Sequence, residues 1–441
     1  VTSSLTFSII INTCDRAAPL RTLLHTLQRQ SYPHFEVVVV VGPTKDDSLE
    51  VVQAFGERVI LVRCPEFNLS MSRNMGIAAA VGDIIAFIDD DAVPCLTWLA
   101  QLAATFQNRN VAGAGGKVYD IHPGHGQLQF QYGRFSILGE HEDVRPEPAP
   151  PEPPRWFPRL MGANMAYRRE IFSHTGGFDE RFPYLFEEPD LAIRWGLQGY
   201  QILPLAEAVV YHAPASSRNR EAFTWNINWY LWLRGIIYFT LKNAPRVVGW
   251  RVTLRQVMQH GVDFFRRLRH YYQAKLVSDE LYIPIQKQLW RGLAWGFIMG
   301  LFGLRQIPTN FSKPSRPLRP FLSAQIMPHV PPLPPLTAAV EPISNKPLRL
   351  CLLSHHQAEV KALAHDLAGF GHEVHLIIPG RPDHTTFCDG VYLHEIDLTE
   401  HTLSQKIRAL QLNHQIQLVS ESAFSESAFS YTAFRLRLTL L

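Results

Sequence analysis

A doubly wound, mostly parallel α/β sheet is the fold class this sequence predicts for its first 220 residues. Three observations predict it. Apolar, β-branched runs without strict alternation recur at 7–11, 35–41, 59–63 and 84–88, as expected for strands covered on both faces. Segments with helical periodicity separate them. Acids, amides and basic residues gather just beyond the strand ends, where open α/β sheets bind ligands.

The elements follow in order. Residues 7–11 form a buried strand. Residues 19–30 form a helix with Leu20, Leu23, Leu24 and Leu27 on one face. Residues 35–41 are an unbroken apolar run after Glu36, fitting a central parallel strand. Helix 48–55, strand 59–63, helix 70–81 and strand 84–88 complete a β-α-β-α-β-α-β series, which closes into a parallel sheet through right-handed crossovers. Residues 141–158 hold seven prolines and read as a Pro- and Glu-rich surface insertion within the domain 1–220. Residues 221–305 read as a helical, aromatic and basic extension, with seven Arg/Lys and one acid between Arg246 and Lys275. Residues 306–346 read as an extended, structureless Pro-rich linker. A second βαβ start follows in 347–441, with strands at 348–353 and 374–378, a helix at 358–368 and a further strand at 415–419.

Composition bounds the function. The chain has 441 residues, 46% hydrophobic and 18% charged, with a formal net charge of +3. That balance describes a globular chain with an ample core and gives no bulk-charge case for nucleic-acid binding. Five cysteines, odd in number and without a Cys-x-x-Cys pair, indicate neither a disulfide framework nor a zinc site and suit a reducing, cytoplasmic compartment. No signal-peptide pattern is expected at the N-terminus. The uncharged stretches 222–233 and 292–304 are shorter than the roughly 20 apolar residues of a spanning helix. They read first as buried core helices, and second as an aromatic helix lying at a membrane surface.

The strongest chemical signal is a strand running into three adjacent acids, Asp89-Asp90-Asp91. Their mutual repulsion calls for cations, and a divalent metal with substrate phosphates supplies them. Asn68 to Gly76 opens a helix whose N-terminus and Arg73 form a candidate anion site. Glu187-Glu188-Pro189-Asp190 places acids at another helix start, either as dipole-favoured residues or as a general base. His212 follows an apolar strand end and becomes a metal or diphosphate contact if it folds back onto the acids.

Taken in order, these pieces resemble family 2 glycosyltransferases of the GT-A fold, over roughly residues 5–245. The matching residues are Asn12 to Arg16, the segment 36–47, Asn68 to Gly76, Asp89 to Asp91, Gly162 to Met165, Gly176 to Glu180, Glu187 to Leu191, and Tyr211-His212. The resemblance implies a GT-A Rossmann-like nucleotide-diphospho-sugar transferase. It also implies a nucleotide-sugar donor, a divalent cation (Mn or Mg), and inversion at the anomeric carbon. Its metal set would be Asp89, Asp91 and His212. Thr13, Asp15, Asp46, Arg73, Asn74, Asp89 and Asp90 would face the nucleotide-diphosphate or sugar. Gly162 and Asn164 would line the acceptor side. The base position departs from the common Glu-Asp-x-Asp pattern, so Glu188 and Asp190 are both candidates.

The implied enzyme is a hexosyl- or deoxyhexosyltransferase of polysaccharide or cell-envelope biosynthesis, acting on a glycan or lipid-linked hydroxyl. Peripheral contact through 223–305 would place it at the inner face of a membrane. A non-catalytic nucleotide-sugar or glycan-binding module is the alternative, and slow donor hydrolysis with and without Mn²⁺ separates the two. A sugar nucleotidyltransferase would need a Gly-rich basic loop after the first strand, where this chain has residues 12–18. Residues 347–441 resemble the opening of a family 4 glycosyltransferase of the GT-B fold, so the chain is expected to end inside a second Rossmann-like domain.

Overall fold

The computed structural model describes residues 4–120, 128–148, 155–215, 217–219 and 227–322, together with five strands between 349 and 422. The first half alternates strands and helices. They are β1 (Phe7–Thr13), α1 (Ala17–Leu27), β2 (Phe35–Val41), α2 (Ser48–Ala54), β3 (Val59–Arg63), α3 (Leu69–Ala79), β4 (Ile84–Asp89), β5 (Ala92–Pro94) and α4 (Trp98–Thr105). Next come β6 (Val111–Gly115), β7 (Val118–Asp120), β8 (Leu128–Phe130), β9 (Arg134–Ser136), β10 (His141–Glu142), β11 (Trp156–Pro158) and β12 (Met165–Arg168). The domain closes with α5 (Arg169–Thr175), α6 (Glu187–Gly196), β13 (Gln201–Pro204) and β14 (Val210–His212).

The central sheet runs β13-β6-β12-β4-β1-β2-β3. All neighbours are parallel except β12, which runs antiparallel to both β4 and β6. The pleat sends Phe7, Ile9 and Ile11 of β1 to one face, under Leu20, Leu23 and Leu24 of α1 and Trp98 and Leu99 of α4. It sends Ile10, with Val38 and Val40 of β2, to the other, under Ile77 of α3, Phe172 of α5 and Trp195 of α6. Two buried faces explain why the strands read as unbroken apolar runs. The reversal at β12 has a functional consequence. The carboxyl end of β4 and the chain entering β12 lie at one edge of the sheet, so the residues just before Met165 face Asp89.

A small sheet, β5-β14-β7-β8, stands on that edge. A second, β10-β9-β11, corrects part of the surface-loop reading of 141–158. Both ends of that insertion are strands pinned on β9, because Phe157 is buried and Trp156 lies under the Arg134 guanidinium.

Three helices follow: α7 (Trp229–Asn243), α8 (Pro245–Gln273) and α9 (Asp279–Leu301). Gly249, with φ of 80°, breaks α8 after its first turn. Gly292, Gly296 and Gly300 let α9 approach α7 closely. A Cβ on Gly296 would sit 2.7 Å from Ile237 Cβ, and one on Gly300 2.5 Å from Leu241 Cβ. The buried-helix expectation for 292–304 is corrected here. Gly292, Gly296 and Met299 are buried, while Trp295, Ile298, Leu301 and Phe302 are exposed.

The linker reading of 306–346 is corrected at its start. Residues 306–322 have no regular structure, yet they dock along the transferase domain. The carbonyl of Pro308 accepts from Gly177 N, Phe321 N donates to the carbonyl of Phe35, and both Phe311 and Phe321 are buried. Arg316 pairs with Glu36, a fully buried acid on β2 that also accepts from Ser8 Oγ and Val81 N. The physical reason is Glu36 itself, because a buried carboxylate needs a cation. Arg316→Ala is therefore expected to cost about 1–3 kcal/mol of stability, the penalty of a buried acceptor left short of partners. Urea unfolding checks this; an unchanged midpoint would show that the docking contributes nothing.

In the C-terminal part, β15 (Arg349–Ser354), β16 (Glu373–Pro379), β17 (His384–Cys388), β18 (Val391–Ile396) and β19 (Leu418–Ser422) form a sheet of order β17-β18-β16-β15-β19. Every pairing but β17–β18 is parallel. The helix expected at 358–368 lies outside the described residues.

Candidate active site

Asp89 ends β4, so its carboxylate emerges where the sheet opens. Asp90 and Asp91 turn into β5, and β14 pairs with β5 so that His212 sits opposite Ala92. This register brings together residues more than 120 positions apart. His212 Nε2 lies 3.1 Å from Asp91 Oδ1 and 3.8 Å from Asp89 Oδ2. Ligand atoms of Asp89, Asp91 and His212 all fall within 4.8 Å of one another.

The donor set fits a divalent cation. Gln129 Oε1 is 3.0 Å from His212 Nδ1. With Nδ1 donating there, the Nε2 lone pair faces two carboxylates. Three acceptors pointed at one another repel, and a cation between them relieves this. Two carboxylates and one imidazole could together hold a divalent cation. Asp91 is buried, which alone would raise its pKa. With a proton on His212 Nε2 in place of a cation, the hydrogen bond to His212, the Arg16 charge and the Ala215 N–H overcome this and hold it well below the usual range. Arg16 also bonds Asp90 at 2.8 Å and Asp91 Oδ2 at 2.7 Å. It thereby leaves Asp91 Oδ1 toward the cluster. Burial pushes Asp90 upward against the pull of Arg16.

The opposite wall is α6. Arg73, buried to 2%, donates to Glu187 Oε1 at 2.7 Å and to Glu188 Oε1 at 3.1 Å. Glu187 is enclosed, and burial raises its pKa to about 7 despite Arg73. Glu188 keeps some access to solvent, with Arg159 3.8 Å from its other oxygen. Gly162 lies directly against Glu188 and Arg73, where any Cβ would collide with both side chains. Helix α6 therefore carries one partly accessible carboxylate, oriented by a buried guanidinium.

The remaining expected site residues have the following partners. Arg73 pairs with Glu187 and Glu188. Asn74 is buried and clamps Phe178, accepting from its N–H and donating to its carbonyl. Asn164 is fully buried, accepting from Trp98 Nε1 and donating to the Ala208 carbonyl. Asp190 has no exposure and meets Lys242 at 2.7 Å and Arg194 at 3.0 Å. Those cations hold its pKa down against the effect of burial. Asp15 accepts from Lys45 N and Thr44 Oγ1, while Asp46 accepts from Ser48 and Ala17 N, which together tie the first two strand-end loops. Burial opposes that pairing at Asp46, but the hydrogen bonds lower its pKa to about 2. Thr13 is buried at the end of β1.

Sequence reasoning missed Arg16, Gln129, Arg159 and Lys242. Arg16 carried a usable signal, as the first cation after β1 in a domain that must neutralise three acids. The others come from distant segments and gave none.

Comparison with known proteins bears on the first half of the chain. The family model of glycosyl transferase family 2 matches residues 8–176. A curated relative, the O-antigen biosynthesis protein RfbC of Myxococcus xanthus, is 29% identical over 49% of this chain and 18% of its own length. Another, the O-antigen chain rhamnosyltransferase WbaN of Salmonella anatum, is 25% identical over 66% of this chain and 97% of its own length. The chain thus spans under a fifth of the first and nearly all of the second. Among solved structures, residues 1–349 of S. aureus TarS in complex with UDP-GlcNAc superpose with a TM-score of 0.41 at 15% identity, over 70% of this chain and 98% of that one. Residues 8–176 match the glycosyl transferase family 2 model, and they form most of the mostly parallel sheet described above.

Proposed function

We propose that the chain transfers a hexosyl or deoxyhexosyl group from a nucleotide-sugar donor to a hydroxyl of a glycan or lipid-linked acceptor, with inversion, in polysaccharide or cell-envelope biosynthesis. The observation that carries this reading is the pairing of two walls across one sheet edge. One wall bears the Asp89–Asp91–His212 cluster, and the other bears the single accessible carboxylate of Glu188.

A divalent cation at Asp89, Asp91 and His212 would offset negative charge on the departing nucleoside diphosphate. The protein's own groups do the rest. Arg16 and the Ala215 N–H fix Asp91. Arg73 fixes Glu188 and takes no proton, since a guanidinium stays charged. Glu188 accepts the acceptor's hydroxyl proton as that oxygen attacks the anomeric carbon, on the side opposite the leaving group. Asp190 is not assigned this role, because its side chain is fully buried while that of Glu188 keeps some exposure. The similarity to an O-antigen chain rhamnosyltransferase supports a deoxyhexosyl donor.

The remaining parts of the reading are proposals of the same kind. Residues 347–441 are taken as the opening of a second, GT-B-like unit, supported by the parallel order of β15, β16, β18 and β19. A cytoplasmic location at the inner face of a membrane would supply nucleotide sugars and lipid-linked acceptors together.

The test is a donor panel read by nucleoside-diphosphate release, with Mn²⁺ and with chelator. Asp91→Ala is expected to abolish metal-stimulated release, since it removes one ligand and one Arg16 partner. Release that is unaffected by chelator and by Asp91→Ala would overturn the metal assignment. No release with any donor in wild type would favour a non-catalytic binding module.

A further inference from the structure

We propose that the outer face of α8 and α9 docks on the surface of a lipid bilayer rich in anionic headgroups. The inference stands on this surface alone and is independent of the transfer reading.

The face is apolar where a helix facing water would be polar. On α8, Trp250, Leu254, Met258 and Val262 are exposed at intervals of four, which keeps them along one flank. On α9, Ile283, Trp290, Ile298 and Leu301 form a second exposed stripe, with Trp295 and Phe302 beside it. Trp290 is 61% and Phe302 75% exposed. The stripes are continuous, because the Phe265 and Trp290 rings meet at 4.9 Å. The adjoining flank of α8 and the opposite flank of α9 supply the core: Val257, Phe264 and Leu268 of α8, and Ile285 and Leu289 of α9, are buried. Each helix is therefore two-faced, and only one face is spent on the fold.

Charge selects the occupant. Residues 246–305 contain ten Arg/Lys and three acids. Arg251, Arg255 and Arg269 stand on the same flank as the α8 stripe, and Lys287 and Arg291 on that of α9. A second copy of the chain would set this basic patch against itself, since a two-fold interface repeats the same surface. A bilayer with anionic headgroups satisfies both features at once. It takes the Trp rings and aliphatic side chains at the acyl boundary and the guanidinium groups at the phosphate level. No helix among the described residues is long and apolar enough to cross a membrane, so the pair would lie in the plane of the interface.

The experiment is flotation of the full chain with phosphatidylcholine vesicles, with and without phosphatidylglycerol. Wild type is expected to float with the anionic vesicles, less with the neutral ones, and to be released by salt. The triple variant R251Q/R255Q/R269Q is expected to lose about a hundredfold in partitioning, at about fivefold for each cation removed. The double variant W290E/W295E is expected to stop floating. Trp290 is 61% and Trp295 48% exposed, so circular dichroism and donor hydrolysis in solution should match wild type. Wild type that stays in the soluble fraction with anionic vesicles at low salt overturns the proposal. So would a wild-type dimer by light scattering that W290E/W295E converts to monomer without any vesicle binding. Donor hydrolysis, measured in the same samples without vesicles, reports separately on the transferase reading.

Discussion

Glu188→Gln is expected to lower kcat for transfer by about 10²–10⁴, the usual contribution of a positioned general base, while donor binding stays unchanged. The amide keeps the size of the side chain and its oxygen can still accept from Arg73, so the wall of the pocket survives. What is lost is the capacity to take the acceptor's proton. Donor affinity measured by calorimetry in the presence of Mn²⁺ should match wild type, because Glu188 stands across the cleft from the Asp89–Asp91–His212 cluster. Asp190→Asn gives the contrast. It disturbs the Lys242 and Arg194 pairing in the core, so its loss of activity should track its loss of stability. Near-wild-type turnover in Glu188→Gln would remove the residue from the mechanism.

Lys242→Met is expected to destabilise the fold by about 3–5 kcal/mol, the cost of stranding buried charge by removing its partner. Lys242 Nζ bonds Asp179 at 2.6 Å and Asp190 at 2.7 Å, and all three side chains are almost wholly enclosed. Tyr238 also donates to Asp179, and Arg194 and Asn243 support Asp190. The lysine sits on α7, outside the matched family segment, yet it neutralises two acids of the transferase domain. The helical extension is thus joined to α6 by charge as well as by apolar packing. Thermal unfolding should show one lowered transition for residues 1–322. A wild-type midpoint in Lys242→Met would mean that the two acids find other cations.

Much of the fold is legible in the sequence. The strands at 35–41 and 59–63 coincide residue for residue with β2 and β3, because an unbroken apolar run in a two-sided sheet has no other use. The acid triplet is equally readable, since three carboxylates after a buried strand require cations nearby. The Asp89–Asp91–His212 grouping follows once the strand ends are known. The Pro-rich segment after 305 misleads for a physical reason. Proline content speaks for an extended chain without a ladder, and 306–322 is extended, but it does not say whether that chain lies on a surface. The buried Glu36, whose charge Arg316 meets, decides that, and its burial is not visible along the chain.

The distinction between Glu188 and Asp190 marks the boundary most clearly. The sequence by itself determined that acids cluster at the start of a helix, in the place where a transferase base is needed. It could not say which acid reaches the cleft. Successive residues turn by about 100° on a helix, so positions two apart point in nearly opposite directions. The tertiary structure decides by packing. The α7 lysine and Arg194 draw Asp190 into the core, while Gly162 leaves Glu188 room at the cleft beside Arg73. The same logic takes Arg73 and Asn74 inward from a helix start that reads as an anion site. Composition and periodicity settle which segments are strands, helices and charged ends. Which side of each helix meets the ligand is set by neighbours more than 100 residues away.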